Sequence, residues 1–197
     1  MAGILDLVNS DLGKQIIDGV SQKAGTDPQE TSSVLTSALP ALMGAMKNNV
    51  ASPGGAESLL SALKGKHDGS ILDNLSGFLG GDSQDDTDGN GILGHILGEK
   101  QGLVENAVSE KTGVSSDKVS QILKMAAPIL MGYLGKKTQE NNVDSPSGLD
   151  GILGGLLGGK SGGSNSIISM LDQNGDGDIK DDVMNMGKSL LGKLFNK

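Results

Sequence analysis

The chain of 197 residues contains no cysteine and no tryptophan, and its only aromatic side chains are two Phe and one Tyr. Without cysteine there is no disulfide framework, no thiolate metal site and no thiol nucleophile. Basic residues are the minority charge, 16 Lys and Arg against 24 Asp and Glu, which leaves a formal net charge of −8. Affinity for a phosphate backbone comes from neutralising phosphates with Lys and Arg, so nucleic acid is not an expected partner. Long apolar runs are missing too. The longest, from Met125 to Leu134, contains Pro128 and Gly132 and is about half of the roughly 18–20 residues that a membrane span needs. No basic segment precedes Asp6, which argues against a secretory signal. A cytoplasmic protein without stable membrane insertion is expected.

Glycine is abundant, with 32 copies, and an internal repeat gives many of these glycines a place. Gly3-Ile4-Leu5 recurs as Gly91-Ile92-Leu93, Gly25 as Gly113, Pro40 as Pro128, and Leu42-Met43-Gly44 as Leu130-Met131-Gly132, all at an offset of 88. An insertion then shifts the offset to 93, which pairs Ser52-Pro53 with Ser145-Pro146. One supersecondary unit used twice is the expected organisation.

Within a unit the pattern is helical. Val34, Leu35, Ala38, Leu39, Leu42, Met43 and Met46 follow the i, i+3, i+4, i+7 spacing that lines one helix face. Asp27, Pro28 and Glu30 mark its start as an N-cap, a first-position proline and the acid of a capping box. Ser52-Pro53 and Ser145-Pro146 predict the next helix start in each half. Pro40 and Pro128 fall inside the long helices and are expected to kink them. Sustained apolar/polar alternation is absent, so the expected class is all-α: two homologous multi-helix repeats and a short C-terminal helix-loop-helix. The boundaries read as a first repeat over 1–81, an acidic linker over 82–90, a second repeat over 91–158, a Gly/Ser linker over 159–165 and the helix-loop-helix over 166–197.

The strongest chemical motif is the run from Asp172 to Ile179. An EF-hand loop sets oxygen ligands at positions 1, 3 and 5, a turn glycine at 6, a carbonyl at 7 and an apolar residue at 8, because calcium takes several oxygens around a tight turn. Asp172, Asn174, Asp176, Gly177, Asp178 and Ile179 occupy those places. Position 12, where a bidentate Glu belongs, is Val183; Asp182 at position 11 is the nearest substitute. The expected metal ligands are therefore Asp172, Asn174, Asp176, Asp178 and Asp182, and the expected cofactor is weakly bound calcium. A shorter echo at Asp86, Asp88 and Asn90 reads as a polar linker that caps a helix from Ile92.

Catalytic constellations are thin. The two histidines are His67 and His95, and His67-Asp68-Gly69-Ser70 reads as a turn with Ser70 as N-cap. Neighbours in sequence rarely converge as a nucleophile, base and orienting acid must. No catalytic residue is expected. Glycines four apart, as in Gly151 and Gly155, favour close helix packing.

Four segments carry a family resemblance: Leu39-Pro40-Ala41-Leu42-Met43-Gly44, Ser52-Pro53-Gly54-Gly55-Ala56, the run from His67 to Leu75, and the run from Gly91 to Gly98. On these the chain resembles the bacterial DUF937 family over residues 1–158. The resemblance implies an all-α bacterial protein and no established activity. The expected role is a non-catalytic helical scaffold or interaction module whose partner is another protein or a second copy. The alternative is a weak calcium-binding protein acting through the Asp172–Asp182 loop.

Overall fold

The computed structural model describes residues 3–81 and 85–157, and among these every regular element is helical. In chain order the helices are α1 (Ile4–Asn9), α2 (Asp11–Ala24), α3 (Pro28–Val50), α4 (Gly55–Lys64), α5 (Ser70–Asp73), α6 (Leu75–Gly80), α7 (Asp85–Leu97), α8 (Gln101–Thr112), α9 (Ser116–Glu140) and α10 (Pro146–Leu157), with a 3-10 turn at Gly98–Lys100 between α7 and α8.

Local chemistry sets most of these limits. Gly25 (φ 61°) and Gly113 (φ 77°) end α2 and α8 in the left-handed region that glycine enters without strain. The α3 capping box forms as its residues predict: the Gln29 N–H donates to Asp27 Oδ1 (2.8 Å) and the Asp27 N–H donates to Glu30 Oε2 (3.1 Å). Both long helices run through their prolines without a break. Each proline removes one backbone donor, a change worth about 3 kcal/mol in an isolated helix. Buried neighbours on both sides, Leu39 and Leu42 in α3, Ala127 and Ile129 in α9, hold the chain helical across that gap.

The helix after Ser145-Pro146 starts at Pro146 as expected, but its counterpart after Ser52-Pro53 does not. There a turn continues to Gly54 (φ 75°), and α4 begins at Gly55. The Ser52 hydroxyl, instead of capping, donates to the Asn49 carbonyl at the end of α3 (2.5 Å).

A larger departure concerns the acidic stretch. Residues expected as linker are helical from Asp85, seven residues ahead of the start expected at Ile92. The cause is tertiary. α7 lies along α9, and Gly89 comes so close to it that an added Cβ would stand 1.9 Å from the Lys124 carbonyl oxygen. Lys66 adds an ion pair to Asp88 (2.6 Å). Packing overrides the weak helix propensity of an Asp/Gly-rich sequence.

The core is built on α3 and α9. α8 and α10 pack on α3; α2, α4 and α7 pack on α9. Elements from each half of the chain therefore lie against the long helix of the other. The apolar stripes that demanded burial, Leu42, Met43 and Met46 on one side and Ile122, Leu123, Leu130 and Leu134 on the other, close into one core cluster. No helix among the described residues is long and apolar enough to cross a membrane.

Candidate functional site

α4 runs along one side of a cleft of about 590 Å³ and α7 along the other, with α3 and α9 contributing Met46 and Met131. The apolar lining is Met46, Leu59, Ala62, Ile92, Ile96 and Met131; the polar lining is Asn49, Ser52, Ser58, His67, Asp88 and His95. Both histidines of the chain thus meet in one cleft.

The turn that carries His67 is fixed from two sides. Its N–H donates to the Ala62 carbonyl at the end of α4 (3.0 Å), and Gln139 of α9 donates to the Asp68 carbonyl (2.8 Å). Underneath, Gly135 of α9 leaves room for the turn: a Cβ there would stand 1.9 Å from the His67 carbonyl oxygen. At the opposite end of the cleft, the Asn49 side chain donates to the carbonyls of His95 (2.9 Å) and Ile96 (3.1 Å), which ties α3 to α7. Asp88 and His95 are seven residues apart on α7, two turns along one face, a separation of about 10 Å.

Electrostatics in the cleft centre on His67. The residue exposes only 9% of its surface, and among the described residues no hydrogen bond engages its ring. Burial lowers its pKa below the ordinary histidine value; the Asp88 carboxylate pulls the other way, and Lys66 adds to the lowering. At neutral pH the ring is an uncharged donor-acceptor. Asp88 already has a cation, Lys66, at 2.6 Å.

Of the residues read as a turn, 67–69 lie in one, and Ser70 opens α5. Its cap differs from expectation: Asp68 Oδ1 accepts the Ser70 N–H (3.0 Å), a bond that lowers the Asp68 pKa, and Ser70 is the first residue of α5. Asp68 therefore serves the backbone of its own turn, while His67 faces Asp88. The Asp86–Asn90 echo lies on α7, so its backbone is helical and does not form the loop of the motif. Among the described residues no group of three or more His, Asp or Glu is placed to hold a metal ion. The expected calcium ligands Asp172, Asn174, Asp176, Asp178 and Asp182 lie outside the described residues.

Sequence reasoning missed that His67, Asp88 and His95 line one cleft. A helix begun at Asp85 would have put Asp88, Ile92, His95 and Ile96 on one face, a legible signal for half of the cleft. Nothing local to residue 67 places it opposite.

The architecture and the cleft define an all-α helical protein with a ligand-sized hollow between two helices. The model of the family described as bacterial protein of unknown function (DUF937) matches residues 6–137 and again 138–197, and the chain belongs to this family. No curated protein matches the chain, nor does any solved structure.

Proposed function

We propose that the protein is a non-catalytic helical interaction module that acts by binding through the cleft between α4 and α7. The observation that supports this reading is how the polar groups of the cleft are employed. Asn49 bonds to α7, Ser52 to the end of α3, and Asp88 to Lys66. What faces an incoming group is an apolar wall with adaptable methionines, flanked by Ser58, the exposed His95 and the neutral His67 imidazole, a surface suited to recognition. The apolar stripes of α3 and α9 close into the core, and Met46 and Met131 of these two helices also line the cleft. An uncharged apolar dye, N-phenyl-1-naphthylamine, tests it. Its fluorescence is expected to rise on binding to the native protein and to lose that response in Leu59→Lys, because Leu59 is a half-buried wall residue. No rise, or an equal rise in the variant, overturns the reading, as does any turnover that depends on His67.

A second proposal rests on the ligand spacing of the Asp172–Asp182 loop: weak calcium binding, towards the 10⁻⁴–10⁻³ M end of the range because position 12 lacks its Glu. Isothermal titration is expected to show heat at millimolar calcium that disappears in the Asp172→Ala, Asp176→Ala variant. A native protein giving no heat ends this proposal.

A further inference from the structure

The cleft has a direction. At one end the Asn49 side chain joins α3 to the His95 and Ile96 carbonyls; at the other, His67 sits after the end of α4 with Asp88 facing it. From Asp88 to Ile96 the α7 wall rises through eight residue steps, about 12 Å at 1.5 Å per step. Apolar side chains, Ile92 and Ile96 on this wall and Leu59 on the other, line the path between the two ends. The hollow is long and apolar along its sides, polar at both ends, and its most deeply buried polar side chain, His67, lies at one of them.

We propose that this cleft is a binding site for a small uncharged amphiphile, a molecule with an apolar body of about 12 Å and a single hydroxyl-type head that hydrogen-bonds to the His67 ring. The proposal rests on the reading of the cleft as the binding surface and adds the class of its occupant.

Three observations select this class. First, the His67 side chain is nine-tenths buried, lines the hollow, and has no hydrogen-bond partner among the described residues. No buried side-chain nitrogen or oxygen among the described residues lacks a partner, so the unbonded ring nitrogens are reached from the hollow, where a ligand hydroxyl can bond to them without displacing a protein group. A group so deeply set is reached by a slender head more readily than by a protein surface. Second, the lining contains no Lys or Arg and one carboxylate, Asp88. A carboxylate or phosphate head would therefore meet an anion and no cation inside the cleft. Third, Asp88 is already neutralised by Lys66 from outside, so an ammonium head must displace that ion pair. The uncharged head is the one that meets an open partner and disturbs nothing. A volume of about 590 Å³ lies within the range of small-molecule sites.

Heads can be compared on a common tail: decan-1-ol, decanoate and decylammonium, each titrated below its aggregation limit. The readout is the imidazole NMR signals of His67 and His95 in the full chain, assigned with His67→Gln and His95→Gln. Decan-1-ol is expected to bind saturably and shift the His67 ring. Decanoate is expected to bind about tenfold more weakly, the size of one net hydrogen bond, and decylammonium to bind more weakly than the alcohol as well. In His67→Leu the alcohol should lose its advantage over decanoate. Three results overturn the proposal: decanoate binding as tightly as decan-1-ol, alcohol binding that leaves the His67 ring unmoved, or a His67 shift driven by protein concentration alone, which would make a second copy the occupant. Dye bound without any response to decan-1-ol defeats this proposal and leaves the module reading intact; no response to either defeats both.

Discussion

Replacing Gly135 by alanine is expected to destabilise the protein by about 1–3 kcal/mol, whereas Gly44→Ala is expected to stabilise it by about 0.5–1 kcal/mol. Both glycines lie inside long helices, α9 and α3, where alanine is the better helix former. They differ in what stands opposite. A Cβ at Gly44 meets nothing within 4 Å, so only the backbone entropy gain remains. A Cβ at Gly135 falls 1.9 Å from the His67 carbonyl oxygen and 3.1 Å from the Asp68 carbonyl carbon, both backbone atoms that cannot swing aside. The turn over 65–69 must lift from α9, which strains the Gln139 bond to the Asp68 carbonyl and moves the His67 ring. Thermal unfolding followed by circular dichroism checks both variants, each kcal/mol moving Tm by about 2–4 °C in a chain of this size. An unchanged Tm in Gly135→Ala would show that the turn is not docked on α9. The same variant is expected to lose the dye response, because the cleft shares this turn.

This contrast also shows where sequence reading reaches and where it stops. Leu42-Met43-Gly44 and Leu130-Met131-Gly132 are identical in sequence, yet a Cβ at Gly44 would find open space while one at Gly132 would meet Ile71 Cγ2 at 2.3 Å. Helix class and the α3 capping box were legible, because each is decided by residues within a few positions of one another. The start of α7 was not. Its Asp/Gly-rich opening lacks the propensity of a helix and gains its order from α9, through Gly89 against Lys124, and from Lys66. The cleft was illegible for the same reason: His67 and Asp88 are separated by 21 positions, and only the docking of the turn on α9 brings them face to face.

Leu153→Ala is expected to cost about 2–5 kcal/mol, a large share of the 5–15 kcal/mol that typically holds a domain together. Leu153 is fully buried on α10, and a helix only loosely attached to the rest of the fold would fray without affecting it. Here α10 packs chiefly on α3, with further contact to α4, so its buried face, Leu149, Leu153 and Leu156, fills the core beside residues more than a hundred positions earlier. A cavity at Leu153 therefore weakens the attachment of α3 and α4 as much as that of α10. Ile152, half-buried one position away, provides the control: Ile152→Ala is expected to cost less than half as much, since its side chain leaves less of a void. Urea unfolding of Leu153→Ala followed by circular dichroism should show one transition at a lower midpoint with an unchanged slope. A separate early transition, with the main midpoint unmoved, would mean that α10 is an appendage and that α3 is held by its own half. A single transition would instead tie the α4 wall of the cleft to α10: the cleft would then open only when the whole unit does, and its shape for a ligand would be fixed before the ligand arrives.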